Sequence, residues 1–513
     1  MVFAKQYTRK DLAITAPTAG PREVASRSSS RVFASLMGID GLFDNHISPA
    51  LATRELLRLS AACKELQKPA RALVTEVCIR RDIVRRSAVP RAVRIGLPLL
   101  PGLRVLDLSF VSLAPRDYTA MASALLSPGT RTNARLKTFR LRQRAGYSPG
   151  PIPRESDLCL LRFFQAVVAT QAWPLLEDLD LSGHCIGDAA VELLVSWMEG
   201  TAGGSSSSSG QWQQRRLKRL GLSTINMSEV GLMHLLKPLA KGKCPVLLRM
   251  DLSGNSCGSS GGGGDGGGDM EGVGGVGEGT KRKYKEALWT AALCGMPHLL
   301  ELDLNESGVE GEVTLALARS LTQGAGRKMK RLSLGGCSLT DQDTRKLWEV
   351  VRGGGVPWLQ DLNLRQACLE REAFMGLAAG LERGRLRYLR RLDLSENLLT
   401  YEGMQDIVKA LQNGAAPQLR SLCLGSTGHE FEEVNEMVGL WCAKLKNDGN
   451  CPQLVLQSKE EGKGGGEGGG VVSMEVEEDK EEEEVEQEEK ENKGNKAGGA
   501  ANARKWVKAC VSA

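Results

Sequence analysis

Residues 299–309, LLELDLNESGV, decide how the chain is read, because the same pattern returns every 30 residues. It recurs as MKRLSLGGCSL from Met329, LQDLNLRQACL from Leu359, LRRLDLSENLL from Leu389 and LRSLCLGSTGH from Leu419. Each copy fits L-x-x-L-x-L, and the first four add an apolar residue at the eleventh position: Val309, Leu339, Leu369 and Leu399. Alternation of apolar and polar residues describes a short strand with one buried face. The second half of a unit has helical spacing instead. Met404, Ile407, Val408 and Leu411 are matched one unit earlier by Phe374, Leu377, Ala378 and Leu381. Gly242, Gly324, Gly354, Gly384 and Gly414 follow such helices at a fixed place, where a residue free to take positive φ ends a helix at little cost. A fixed period of this kind marks a stacked array whose neighbours share one core.

The array extends backward through LRVLDLSFVSL from Leu103, LKTFRLRQRAG from Leu136, LEDLDLSGHCI from Leu176, LKRLGLSTINM from Leu217 and LLRMDLSGNSC from Leu247. Its intervals there are 33, 40, 41, 30 and 52 residues. Removing a Gly tract at 258–279 and a Ser-rich tract at 201–211 restores 30 in two of them, and 143–152 is the matching insertion in the third. Such tracts have no apolar content to bury and read as surface loops. Ten repeats result, over 103–457. In the last, His429 stands at the eleventh position, a helix over 432–446 with Trp441 reads as a terminal cap, and PQLVLQ, to Gln457, reads as a final short strand.

A strand and a full helix in about 30 residues resembles the ribonuclease-inhibitor type of leucine-rich repeat. The resemblance implies an α/β solenoid, a horseshoe with a parallel sheet on its concave side and helices outside. Asn255 and Asn397 stand at the ninth position, where members of that family use Asn to bond backbone groups in the turn; Cys337 occupies the same place.

At 513 residues the chain exceeds what one hydrophobic core supports, in keeping with growth by repetition. No run of about 18 apolar residues exists to form a membrane-spanning helix. Thirteen cysteines, an odd number without a C-x-x-C pair, argue against a disulfide framework and a zinc site, and favour a reducing cytoplasmic or nuclear setting. The net charge of +6 is uneven: residues 459–513 hold 15 acids and 9 bases, which leaves +12 on the remainder. Residues 1–31, polar and basic, read as disordered, as does the Gly-rich and acidic tail at 458–513.

Residues 32–85 read as a small helical module. Thr53 is a candidate N-cap before Leu56, Leu57, Leu59 and Cys63, and Pro69 opens a second short helix carrying Leu73, Val77 and Ile79. The stretch RLSAACKELQKPA resembles the later part of the F-box, with Leu57, Leu59, Ser60, Cys63 and Lys64 at matching places, although the leading L-P-x-E of that module is absent. This likeness implies that Leu56, Leu57, Leu59 and Cys63 hold the adaptor of a cullin-type ubiquitin ligase, with the solenoid recruiting substrate. The plainer reading is a helical cap over the first repeat.

The third, fifth and seventh positions of each strand face the concave side. A mixed-charge surface of Arg219, Arg249, Arg331, Asp361, Arg391 and Asp393 is the candidate protein-binding site, with arginine as the expected anchor. The competing reading is a ladder of cross-strand pairs. Cys185, Cys368 and the five histidines show no ligand spacing, and no phosphate loop occurs, so no enzyme, cofactor, metal or specific nucleic acid is expected. Two alternatives remain beside the ligase reading. One is a ciliary, cytoskeletal or signalling scaffold. The other is a resemblance to the activating protein of the small GTPase Ran, with Arg142 or Arg144 acting on the nucleotide.

Overall fold

The computed structural model describes residues 76–78, 103–111, 113–126, 135–143, 154–170, 173–200, 216–256, 278–308, 311–397, 401–424 and 455–456. They fall within one compact unit, Glu76–Gly470. The proposed F-box-like residues Leu56, Leu57, Leu59 and Cys63, the cap helix, His429, Arg144 and the acidic tail lie outside the described residues, as does most of each insertion.

Twelve strands form one open parallel sheet whose spatial order is the chain order. They are β1 (Glu76–Cys78), β2 (Val105–Asp107), β3 (Thr138–Arg140), β4 (Asp178–Asp180), β5 (Arg219–Gly221), β6 (Arg249–Asp251), β7 (Glu301–Asp303), β8 (Arg331–Ser333), β9 (Asp361–Asn363), β10 (Arg391–Asp393), β11 (Ser421–Cys423) and β12 (Val455–Leu456). Nine described helices alternate with β2 to β11: α1 (Pro115–Leu126), α2 (Glu155–Ala169), α3 (Gly187–Glu199), α4 (Glu229–Ala240), α5 (Glu278–Cys294), α6 (Gly311–Thr322), α7 (Asp341–Arg352), α8 (Arg371–Glu382) and α9 (Tyr401–Gln412). The ten strands from β2 to β11 are the ten repeats expected, and β12 is the final strand read from PQLVLQ.

Three expectations change. Glu76–Cys78 is a strand, not the end of a helix opened at Pro69; Val77 pairs with Leu106, so the sheet edge satisfies a backbone that a free helix would have to satisfy alone. Gln143 belongs to the ladder and not to an insertion, since its N–H donates to Ser182 O. The insertion after β6 ends earlier than residue 279, because α5 starts at Glu278.

The core follows from the repeat. First, fourth and sixth positions, such as Leu299, Leu302 and Leu304, are buried in every unit from β2 to β11. Helix residues Phe374, Leu377, Ala378, Leu381, Ile407, Val408 and Leu411 close over them. Burying each such side chain contributes about 1.5–3 kcal/mol. In the second repeat Phe139 replaces leucine and packs on Phe163 and Trp173, with ring centroids 5.8 and 4.6 Å away.

Each strand is only three residues long, so the turn after it must be held by other means. The eighth position takes positive φ in eight repeats: Phe110, Gly183, Thr224, Gly254, Glu306, Gly336, Gln366 and Glu396. At Gly183 this is required twice over, because a Cβ there would also meet Gln143 O at 2.8 Å. The ninth position then reaches back. Asn397 Oδ1 accepts the N–H groups of Ala367 and Leu369, and its Nδ2 donates to Leu364 O and Leu394 O. Asn255 does the same for Ile225, Met227, Leu222 and Leu252. Cys337 Sγ donates to Leu304 O at 3.2 Å, and buried His184 donates through Nε2 to Leu141 O at 2.8 Å. Four different side chains thus bond the sixth-position carbonyl of the preceding repeat.

Asn397→Ala would leave two buried N–H groups and two carbonyls short of partners. The expected loss is about 3 kcal/mol. Urea unfolding checks this, together with faster amide exchange confined to β9, β10 and their turns.

Candidate functional site

Strand register stacks equivalent positions into rows across the concave floor. The third-position row, from β4 to β10, reads Asp178, Arg219, Arg249, Glu301, Arg331, Asp361 and Arg391. Asp178, almost fully buried, accepts from Arg140 on one side at 2.6 Å and from Arg219 on the other at 2.9 Å. Arg249 turns away from Arg219 toward Glu301 at 3.2 Å. Arg331 bridges Glu301 at 3.7 Å and Asp361 at 3.0 Å. One row further back, Glu177 takes Lys137 at 2.8 Å and Lys218 at 2.7 Å.

Of the six residues singled out from the sequence, Arg219, Arg249, Arg331 and Asp361 are therefore bound into a ladder of ion pairs, in which only the neighbours Arg219 and Arg249 share a sign. Arg391 is exposed beside Asp361, whose charge it helps hold. The sequence reading missed Arg140, Asp178, Glu177 and Glu301. Aligning adjacent repeats position by position shows the sign alternation that finds them.

Burial raises the Asp361 carboxyl against the opposing charges of Arg331 and Arg391. At Arg140 burial works against the charge, but the hydrogen bond and charge of Asp178, with Asp107 and Asp180, outweigh it and raise the pKa. Such partly exposed pairs contribute about 0.2–1 kcal/mol each.

The fifth-position aspartates have a backbone role. Asp107, Asp180, Asp251, Asp303 and Asp393 each accept, through Oδ1, the N–H of the residue two places on. The carboxylate supplies an acceptor to an N–H just past the strand end, where the three-residue ladder has stopped. Where the fifth residue is Gly221 or Ser333, a side chain of the preceding repeat substitutes: Ser182 Oγ accepts from Ser223 N, and Asn305 Oδ1 from Gly335 N. Asp393 is one of this set, so its first duty is local, with Ser395 N–H and hydroxyl both donating to it.

In the middle of the floor this arrangement costs charge. Burial first, and then the charge of Asp251, raise the Asp303 carboxyl to about 6 against the opposing pull of the Asn305 N–H and Arg142. Burial likewise raises Asp251, opposed by the Ser253 hydrogen bonds and by Arg142. Arg142, the GTPase-finger candidate, thus sits at the seventh position of its repeat, where its charge acts on two floor aspartates.

The buried His184 also lies with Nδ1 3.3 Å from Asp157 Oδ1. Asp157 is the third residue of α2 and accepts the Arg154 N–H that opens it. Burial raises Asp157, but His184 and that N–H outweigh burial and hold the carboxyl below its usual range. Both ring nitrogens of His184 are thus spent joining the third repeat to the second. Burial also raises the Cys185 thiol next to it, and the charge of Asp157 adds to that, which disfavours the nucleophilic thiolate. Among the described residues no three His, Cys, Asp or Glu side chains gather to hold a metal ion, and no described helix is long and apolar enough to cross a membrane.

Linkage gives the floor a measurable pH signature. The folded-state pKa of Asp303 lies above its ordinary 3.8, so the folded chain takes up that proton first. The resulting stabilisation is complete below about pH 3.8 and is lost as pH rises through about 6. Asp303→Asn keeps the acceptor for Asn305 without the charge. It should exceed the parent in stability by about 1–2 kcal/mol at about pH 7.5, and match it near pH 4, in denaturant melts at the two pH values.

A family model described as leucine rich repeat matches residues 174–195 and 385–408. No curated protein matches the chain. The two matched segments are β4 with the start of α3 and β10 with most of α9, and the sheet that contains both is that of a leucine-rich-repeat solenoid.

Proposed function

We propose that the chain is a protein-binding solenoid whose concave face receives a partner, and that residues 32–75 couple that partner to a cullin-type ubiquitin ligase. Support for the binding role comes from one observation above all: an open parallel sheet offers a continuous row of outward third positions, and no element of its own unit closes over them among the described residues. Arg391 with its neighbour Asp393 is the floor position best suited to an incoming charged group, because it is exposed while Arg219, Arg249 and Arg331 each form a close ion pair with a carboxylate of an adjacent strand. A charged partner would gain specificity and encounter rate from such a row more than raw affinity.

The ligase role rests on the stretch RLSAACKEL alone. The strand Glu76–Cys78 fits this role as the point where the preceding module would join the array. Affinity capture followed by mass spectrometry on the full chain separates the two claims. Arg391→Glu should deplete the substrate-like partner and leave the ligase adaptor bound; Leu57→Asp should deplete the adaptor and leave the partner. Capture of a partner without any adaptor from either chain retires the ligase role and keeps the binding role. Failure to enrich any protein over a reversed-sequence control retires both.

A further inference from the structure

The four turns that lead from a helix into β8, β9, β10 and β11 differ from the floor in composition. Residues 323–330, 353–360, 383–390 and 413–420 hold three, no, four and one basic residues respectively, and not one carboxylate. Across the floor, by contrast, arginines alternate with acids. The turns also hold the largest exposed aromatic of the described array: Trp358, half exposed, stacks on Tyr388 of the next repeat at 5.0 Å between centroids and 15° between planes. The Arg387 guanidinium lies 5.1 Å from the Tyr388 ring centroid, and the Arg385 side chain lies over Gly354 of the preceding turn.

A tryptophan left half in water beside another aromatic ring costs apolar exposure that the fold does not need. Both residues precede the first buried leucine of their strands, at equivalent places where Val246, His298, Lys328 and Gln418 stand in other repeats, so nothing in the core requires an aromatic there. The stack fixes both side chains before any partner arrives, so little entropy is lost on contact. Trp, Tyr and Arg are the residue types in which binding energy concentrates. Basic turns that contain no carboxylate of their own attract a chain of opposite sign.

We propose that this turn edge docks an acidic segment of a partner protein, with an apolar side chain of that segment seated on Trp358 and its carboxylates held by Arg385, Arg387 and Lys328. The proposal rests on the protein-binding reading and adds to it the chemistry of the partner. An isolated acidic strand would gain only screened attraction from the arginines; the aromatic stack beside them gives the contact a fixed point.

The test measures anisotropy of a fluorescein-labelled peptide of about twelve residues, alternating Glu and Phe, on the full chain at about 0.1 M salt. A peptide with Lys in place of Glu and a labelled oligothymidylate are the comparison probes. Binding of the acidic peptide, weakened at least about tenfold by Trp358→Ala and by the pair Arg385→Glu with Arg387→Glu, supports the proposal. Ser333→Glu on the floor should leave that binding unchanged, and circular dichroism melts should show all variants folded. No binding of the acidic peptide, equal binding of the lysine peptide, or a loss with Ser333→Glu but not with Trp358→Ala overturns it. Tighter binding of oligothymidylate through the same residues also overturns it and assigns the edge to single-stranded nucleic acid. None of these outcomes touches the capture experiment with Arg391→Glu, which tests the protein-binding reading by itself.

Discussion

The constraint on which the structure depends is that a three-residue strand cannot satisfy its own surroundings. Eight repeats end their strand in a left-handed residue and a turn, and the backbone groups exposed there need partners from the repeat next door. Sixth-position N–H groups bond the fifth-position carbonyl of the following unit, as Leu304 does with Ser333 O and Leu364 with Asp393 O. Eighth-position N–H groups bond the following seventh carbonyl, as Glu306 does with Gly335 O. Asn255, Asn397, Cys337 and His184 return a bond in the opposite direction. A repeat removed from the stack would lose partners on both sides at once, which is why such arrays gain stability from their neighbours.

Much of this was legible before any coordinates. The 30-residue beat gave the strands, the buried leucines and the glycines that end the helices, because each rests on a local steric or hydrophobic rule that acts within one unit. What escaped the sequence acts between units. One exception is the strand at Glu76–Cys78, missed because valine and isoleucine (Val74, Val77, Ile79) stand at the places that leucine holds in most other repeats; it pairs with Val105–Asp107. The equivalence of His184 with Asn397 is invisible in residue type and appears only when an imidazole Nε2 is found at 2.8 Å from a carbonyl that an amide meets elsewhere. For the same reason the fifth-position aspartates looked like a surface feature, when their carboxylates are committed to main-chain N–H groups.

The candidate site was legible in part. Arg331 and Arg391 do flank Asp361, as register from the repeat requires. At the other end Arg219 is in register with Asp178, across an irregular 41-residue interval, whereas Arg140 is in register with Asp180 and reaches Asp178 diagonally, which register alone does not give. Magnitudes then separate the roles. Three buried side chains per strand contribute several kcal/mol to the shared core, against a fraction of one for each exposed ion pair. Leucines therefore hold the solenoid, and charges on its floor are free to be arranged by partner or by neighbour.

That freedom explains where charge is and is not spent. A row whose arginines mostly pair with acids of adjacent strands is largely neutralised at close range, so its field falls off quickly with distance. The turns into β8 to β11 keep one sign and carry their charge at the rim, where a partner approaching the floor must pass. Long-range attraction thus comes from the rim and close-range sorting from the floor. The two differ in salt dependence, since screening weakens the first more than the partly buried pairs of the second.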